Sequence, residues 1–222
     1  MSKLYVFDLD GTLIDSCASI ASGMNTVLSK NGLREIEGEL FNFLLGDGPE
    51  VLMTRVLDIE EREGLLKGVD RENFEPKILK EYLDFYAKMD DSDMKAYPHI
   101  KESLGQLRDK GKLLAVCTNK PEIPTKRILK NIFGEDYFFS IKSFNGTYPR
   151  KPDPTMLNEI IAESGLTKDD IAYFGDTNTD IQTCVNAGVK SVGVTWGFRD
   201  RKELEEAGAD YIIDDPRQII DF

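Results

Sequence analysis

The segment Tyr5-Val6-Phe7-Asp8-Leu9-Asp10-Gly11-Thr12-Leu13 carries two carboxylates two residues apart, between an apolar run and a glycine that lets the chain turn. Acids held this close raise one another's pKa unless a cation sits between them, so the spacing predicts either a metal-assisted site or a plain Asp-Gly turn. A second acidic group, Gly175-Asp176-Thr177-Asn178-Thr179-Asp180, follows the apolar run Ile171 to Phe174. It places Asp176 in a loop and Asp180 in the first turn of the next helix, where an acid is also favoured by the helix N-terminus alone. If both loops reach one sheet edge, their carboxylates form an oxygen-rich site suited to Mg²⁺. Thr118-Asn119 ends the run Leu113 to Cys117 and offers a hydroxyl and loop amides to phosphate oxygens. Lys151, in Pro149-Arg150-Lys151-Pro152-Asp153-Pro154, sits between prolines that restrict the backbone. It reads as a fixed counter-charge or as an ordinary surface lysine.

These residues need elements to bring them together. Short apolar runs at Leu4 to Phe7, Leu113 to Cys117, Phe138 to Ile141, Ile171 to Phe174, Ser191 to Val194 and Tyr211 to Ile213 alternate with helical patterns. That alternation predicts an α/β fold, a Rossmann-like parallel sheet covered on both faces. In such sheets ligands bind beyond the carboxyl ends of the strands. Helices are expected from Lys120-Pro121 to about Ile132, from Asp153-Pro154 to Gly165, and from Thr179 or Asp180 to Gly188. From about Cys17 to Lys88 the periodicity is helical without a strand, with Ile20, Met24, Val27 and Leu28 sharing one face and Leu79, Tyr82, Leu83 and Tyr86 another. This predicts a helical domain, residues 17–88, inserted into a core of residues 1–16 and 89–222. Within it, Leu45-Gly46-Asp47-Gly48-Pro49 is either a substrate-facing loop or a simple turn between helices.

Composition narrows the chemistry further. The net charge of −12 and the scatter of the 28 Lys and Arg residues argue against nucleic acid as a partner. No apolar run approaches the ~20 residues of a membrane span, so no membrane partner is expected. The N-terminal Met-Ser-Lys-Leu-Tyr-Val-Phe lacks the long apolar stretch of a secretory signal and reads as the first core strand. Cys17, Cys117 and Cys184 are far apart and in no CxxC pair, which fits neither a disulfide framework nor a zinc site, and suits a reducing cytoplasm. With His99 as the only histidine, multi-histidine metal sites are excluded and carboxylates must carry the chemistry.

In their order and spacing the four segments resemble the signature motifs of the haloacid dehalogenase-like hydrolases: Asp-x-Asp-x-Thr, then Ser or Thr, then Lys, then Gly-Asp-x-x-x-Asp. The resemblance covers the whole chain. It implies that Asp8 is a nucleophile that becomes phosphorylated. Asp10 would be the acid/base, with its backbone carbonyl in the metal shell. Thr118 and Lys151 would hold the phosphoryl oxygens, with Gly11 and Asn119 beside the substrate. Asp176 would bind Mg²⁺, and Asp180 would do so directly or through water. The inserted helices would be a mobile cap.

Asp10 argues against a dehalogenase, and the lack of apolar spans against an ion-pumping ATPase. Asp-Leu-Asp-Gly-Thr-Leu-Ile-Asp-Ser, Cys-Thr-Asn-Lys-Pro and Arg-Lys-Pro-Asp-Pro most resemble the phosphoglycolate phosphatase branch. That branch often has Pro-Gly where this chain has Pro98-His99. The expectation is a cytoplasmic, magnesium-dependent phosphatase, monomer or homodimer, acting on a small phosphorylated metabolite such as 2-phosphoglycolate. The alternatives are a pyrophosphatase, a nucleotide or sugar-phosphate phosphatase, and a phosphosugar mutase. A non-enzymatic binding module would have lost the nucleophile, acid or lysine, and all are present.

Overall fold

The computed structural model describes residues 1–222. Six parallel strands form the central sheet: β1 (Leu4–Phe7), β4 (Leu113–Pro121), β5 (Ser140–Phe144), β6 (Ile171–Gly175), β7 (Lys190–Val194) and β8 (Tyr211–Ile213), in the order β5-β4-β1-β6-β7-β8. β1 lies at the centre, and its side chains alternate between two apolar layers. Tyr5 and Phe7 enter the larger cluster, Leu4 and Val6 the smaller. All four are fully buried, and at ~1.5–3 kcal/mol for each such side chain this anchors the strand that ends at Asp8. The continuous apolar runs are therefore what a sheet covered on both faces requires.

The chain leaves the sheet after β1 and returns at β4. On the way out it forms β2 (Ile14–Asp15) and on the way back β3 (Lys95–Ala96), which pair antiparallel at the two ends of the insertion. Between them lie helices α1 (Cys17–Lys30), α2 (Phe41–Leu44), α3 (Pro49–Arg62) and α4 (Arg71–Tyr86), with a 3-10 turn at Gly38–Leu40. Ile20, Met24, Val27 and Leu28 of α1, and Leu52, Met53 and Val56 of α3, belong to the same apolar cluster as Tyr5, Phe7 and Phe174 of the sheet.

The remaining helices are α5 (Ile100–Asp109), α6 (Glu122–Phe133), α7 (Thr155–Ser164), α8 (Asn178–Ala187) and α9 (Arg201–Glu206). Lys120-Pro121, expected to open a helix, instead extends β4, and α6 begins at Glu122. Before α7, Asp153 Oδ1 accepts from both the Thr155 N–H and its hydroxyl, so the aspartate tethers the helix start. His99 sits at the start of α5 with φ 66°, a left-handed conformation. Glycine adopts that conformation freely, which accounts for Pro-Gly being common there in the branch this chain resembles.

Candidate active site

The topology brings the predicted residues to one edge. β1 pairs with β4 on one side and β6 on the other, with Phe7 opposite both Val116 and Phe174. Asp8 and Asp176, just past the ends of β1 and β6, thus come together with Thr118 in the last part of β4, at the point where the strand order reverses. The loop before α7 and the first turn of α8 deliver Lys151 and Asp180 to the same place.

Asp8, Asp176 and Asp180 are all buried, with one carboxylate oxygen of each within 4.8 Å of the others. Lys151 Nζ lies 2.9 Å from Asp8 Oδ1 and 2.7 Å from Asp180 Oδ1. It also donates to Cys117 O at 3.1 Å and contacts the Tyr173 hydroxyl at 3.0 Å. Burial works against the lysine's charge, but Asp180 and Asp8 outweigh it and hold Lys151 protonated well above its ordinary range. For the acids the balance runs the other way. Burial pushes Asp8 up to about 6, against the pull of Lys151. Burial, followed by the charges of Asp180 and Asp8, pushes Asp176 well above the carboxylate range.

Three buried carboxylates therefore face one ammonium, and an all-oxygen cluster of this kind fits a hard divalent cation. Asp8 Oδ1 is itself buried and meets the Lys151 ammonium at 2.9 Å, so its charge is shared between that lysine and whatever cation the cluster takes. Asp176 is fixed on both oxygens: Oδ1 accepts from Thr12 Oγ1 at 2.8 Å and Oδ2 from the Phe198 N–H at 2.8 Å. Gly11, at φ 83°, leaves no room for a side chain, because a Cβ would stand 2.2 Å from Asp176 Oδ2. A Cβ at Gly197 would likewise collide, with the Gly11 carbonyl and with the Asp176 side chain.

Asp180 is bonded by protein donors on both oxygens. Oδ2 accepts from the Thr177 N–H at 3.1 Å and hydroxyl at 2.7 Å, closing a capping box on α8. Oδ1 accepts from Lys151 and from Tyr173. The helix-terminus reading of this residue is thus realised, in a side chain that also pairs with the Lys151 ammonium. Asn119 clamps the Lys151 backbone, accepting from its N–H at 2.8 Å and donating to its carbonyl at 3.1 Å. Its side chain fixes the lysine loop. Thr118 lines the cavity above Asp8, and its Oγ1 accepts from the Lys120 N–H.

Asp10 stands apart from the acidic cluster, its side chain 17% exposed. Its Oδ1 accepts from Ser16 Oγ at 2.6 Å, and both its oxygens accept from Lys120 Nζ, at 2.7 and 2.9 Å. Lys120 is 4% exposed and also bonds the Tyr86 hydroxyl of α4 at 2.5 Å. Sequence reasoning missed Lys120, reading it as a helix start. Its place in Cys-Thr-Asn-Lys-Pro, directly after Thr118-Asn119, was the available signal.

The loop Leu45–Pro49 does face the site: Leu45, Gly46, Gly48 and Pro49 line the cavity opposite Asp8 and Thr118. It is tied to the sheet side by Asp47, which accepts from Thr179 Oγ1, and by the Glu50–Arg150 ion pair. Arg199 is a further residue that no motif announced. Its guanidinium donates to the carbonyls of Asn42, Phe43 and Leu45.

Residues 5–194 match the family model described as haloacid dehalogenase-like hydrolase. The chain is 32% identical over 220 residues to the phosphoglycolate phosphatase of Haemophilus influenzae, covering 98% of this chain and 96% of that one. It is also 32% identical over 215 residues to the phosphoglycolate phosphatase of Agrobacterium fabrum, covering 97% and 89%. The crystal structure of a predicted phosphoglycolate phosphatase from Haemophilus somnus superposes with a TM-score of 0.90 at 28% identity, covering 99% of this chain and 97% of that one.

Proposed function

The chain belongs to the haloacid dehalogenase-like hydrolase family and is a phosphoric monoester hydrolase; from that premise we propose that it is Mg²⁺-dependent, that Asp8 is its nucleophile, and that its substrate is 2-phosphoglycolate. The observation that carries this reading is the buried set of Asp8, Asp176 and Asp180 with Lys151 at one sheet edge. The named activity of the relatives supports the choice of substrate.

In this reading Asp8, Asp176 and the Asp10 backbone carbonyl would hold the metal, with Asp180, which pairs with Lys151 and accepts from Thr177, as the fourth acid beside it, directly or through water. When bound, Mg²⁺ neutralises the acids and draws charge off the phosphoryl oxygens. Thr118 and Lys151 hold those oxygens so that an Asp8 oxygen lies in line with the phosphorus. The Asp8 O–P bond forms as the bond to the leaving oxygen breaks, and Asp10 gives that oxygen its proton. Asp10 then takes a proton from the water that opens the aspartyl-phosphate, returning Asp8 and releasing inorganic phosphate. The inserted helices, residues 17–88, act as the cap over a core of residues 1–16 and 89–222. They close a cavity of only about 50 Å³, which suits a small leaving group. A reducing, cytoplasmic setting is supported by the free thiols of Cys17, Cys117 and Cys184.

A phosphate-release screen over a metabolite panel, ranked by kcat/KM, tests the proposal. 2-Phosphoglycolate is expected to rank first, and Asp8→Asn is expected to lower turnover by about a thousandfold or more. A different metabolite at the head of the ranking overturns the substrate. Parent-level turnover by the Asp8→Asn protein overturns the nucleophile.

A further inference from the structure

Lys120 is the only cation among the side chains lining the cavity over Asp8. It belongs to β4, yet it reaches across to α4, its Nζ 2.5 Å from the Tyr86 hydroxyl and 5.0 Å from the Tyr86 ring centre. Tyr82 stacks on Tyr86 at 5.5 Å and lines the same cavity. The rest of this wall is apolar: Ile20, Leu45, Pro49, Leu52 and Phe198.

Because Asp10 serves the leaving oxygen, the groups that surround Asp10 surround the leaving group. A buried ammonium with phenolic neighbours in an otherwise apolar wall is a recognition element for a single anionic group. Its present partner is a carboxylate, that of Asp10, at 2.7 and 2.9 Å. With Asp10 on two donors and Tyr86 on the third, the three donors of Nζ are all engaged.

We propose that Lys120, with the hydroxyls of Tyr82 and Tyr86, is the subsite for a carboxylate carried on the substrate's leaving group, and that this carboxylate takes Lys120 over from Asp10. The exchange is one carboxylate for another, so the buried ammonium keeps a single partner charge throughout. A second phosphate would bring excess charge into a small apolar wall, and a bare hydroxyl would leave Asp10 on the lysine. Once released, Asp10 is still held by Ser16 Oγ at 2.6 Å and is free to face the ester oxygen. Selectivity for small phosphorylated hydroxy acids then resides in the residue that otherwise restrains Asp10.

This inference rests on the phosphatase reading above, and its test uses pairs that differ only in a carboxylate replaced by a methyl, so that the two can fail separately. kcat/KM is measured for 2-phosphoglycolate against ethyl phosphate, and for 2-phospholactate against isopropyl phosphate. The parent enzyme is expected to favour the carboxylated member by about 30-fold or more, the size of a charge-assisted hydrogen bond in a buried site. In Lys120→Met that ratio falls towards one, while both absolute rates drop because Asp10 loses its donors; in Lys120→Arg part of the ratio returns. Tyr86→Phe, which keeps the ring, lowers the ratio several-fold and stands in if the lysine variant does not fold. A parent enzyme indifferent to the carboxylate in both pairs, or a Lys120→Met ratio equal to the parent's, overturns the proposal. A Lys120-dependent preference confined to the lactate pair upholds the subsite and overturns 2-phosphoglycolate.

Discussion

Asp8 is the residue on which stability and function pull in opposite directions. Burial raises its pKa to about 6 from an ordinary value near ~4. In the metal-free protein the proton therefore favours the fold. From about pH 4 to about 6 the folded chain keeps a proton that the unfolded chain has lost, so stability falls as pH rises through that window and stays lower above it. Asp176, raised by burial and by its acidic neighbours, acts in the same direction. A divalent cation reverses this, since it binds the ionised carboxylates and displaces their protons. The thermal shift produced by about 5 mM Mg²⁺ is thus expected to be small near pH 5 and to reach ~2 °C or more near pH 7.5. Differential scanning fluorimetry at the two pH values measures it without reference to turnover. A shift that is equal at both, or absent at both, would remove the metal from these carboxylates.

At the scale of elements, one loop links the acidic cluster to the inserted helices. Between β7 and α9, the Phe198 N–H holds Asp176 while Arg199 caps the carboxyl end of α2, donating to Leu45 O at 2.7 Å and Phe43 O at 3.3 Å. α2 is only one turn long and cannot support itself. Arg199→Ala strips its last carbonyls of their donor at a cost of about 2 kcal/mol. The expected result is a Tm lower by a few degrees, a kcat/KM reduced about tenfold, and new protease cleavage within residues 41–49. Unchanged proteolysis with unchanged activity would show that the loop holds its place without the arginine. None of this was legible in the sequence, and the reason is physical. β1 and β6 announce themselves because every residue is buried and apolar, and Asp8 and Asp176 follow because each stands directly after one of these strands. Arg199 acts on backbone carbonyls more than 150 residues away and Lys120 on Asp10 and Tyr86, 110 and 34 residues away, which leaves no local pattern. β2 and β3 are two residues each, too short for a period. The Gly46–Gly48 loop was identifiable as a turn, but the cavity it faces depends on α3 and α4 packing against the sheet side.

For the whole molecule the question is whether the inserted helices fold as a unit of their own. At 222 residues, with an insertion between β2 and β3, separate transitions would be the ordinary expectation. The packing argues otherwise. A single apolar cluster runs from Tyr5, Phe7 and Phe174 through Leu9, Leu13 and Ile14 to Met24, Leu28, Leu52 and Val56. Lys120–Tyr86, Thr179–Asp47 and Arg150–Glu50 add polar ties across the same divide. Removing the insertion's partner surface would expose several fully buried side chains at ~1.5–3 kcal/mol each, more than a four-helix insertion of this size can forgo. Two probes separate the possibilities. α1, α3 and α4 supply much of the helix content seen by far-UV circular dichroism, whereas the single tryptophan, Trp196, donates to Thr12 O at 3.0 Å beside Gly11 and so reports the sheet edge. Urea unfolding followed by the two signals is expected to give superimposable curves with one midpoint. Loss of helix signal at lower urea than the Trp196 change would mean that the insertion melts by itself. Any opening of the insertion over the site would then proceed by local unfolding, whereas coincident curves would mean that the insertion and the sheet share one cooperative unit.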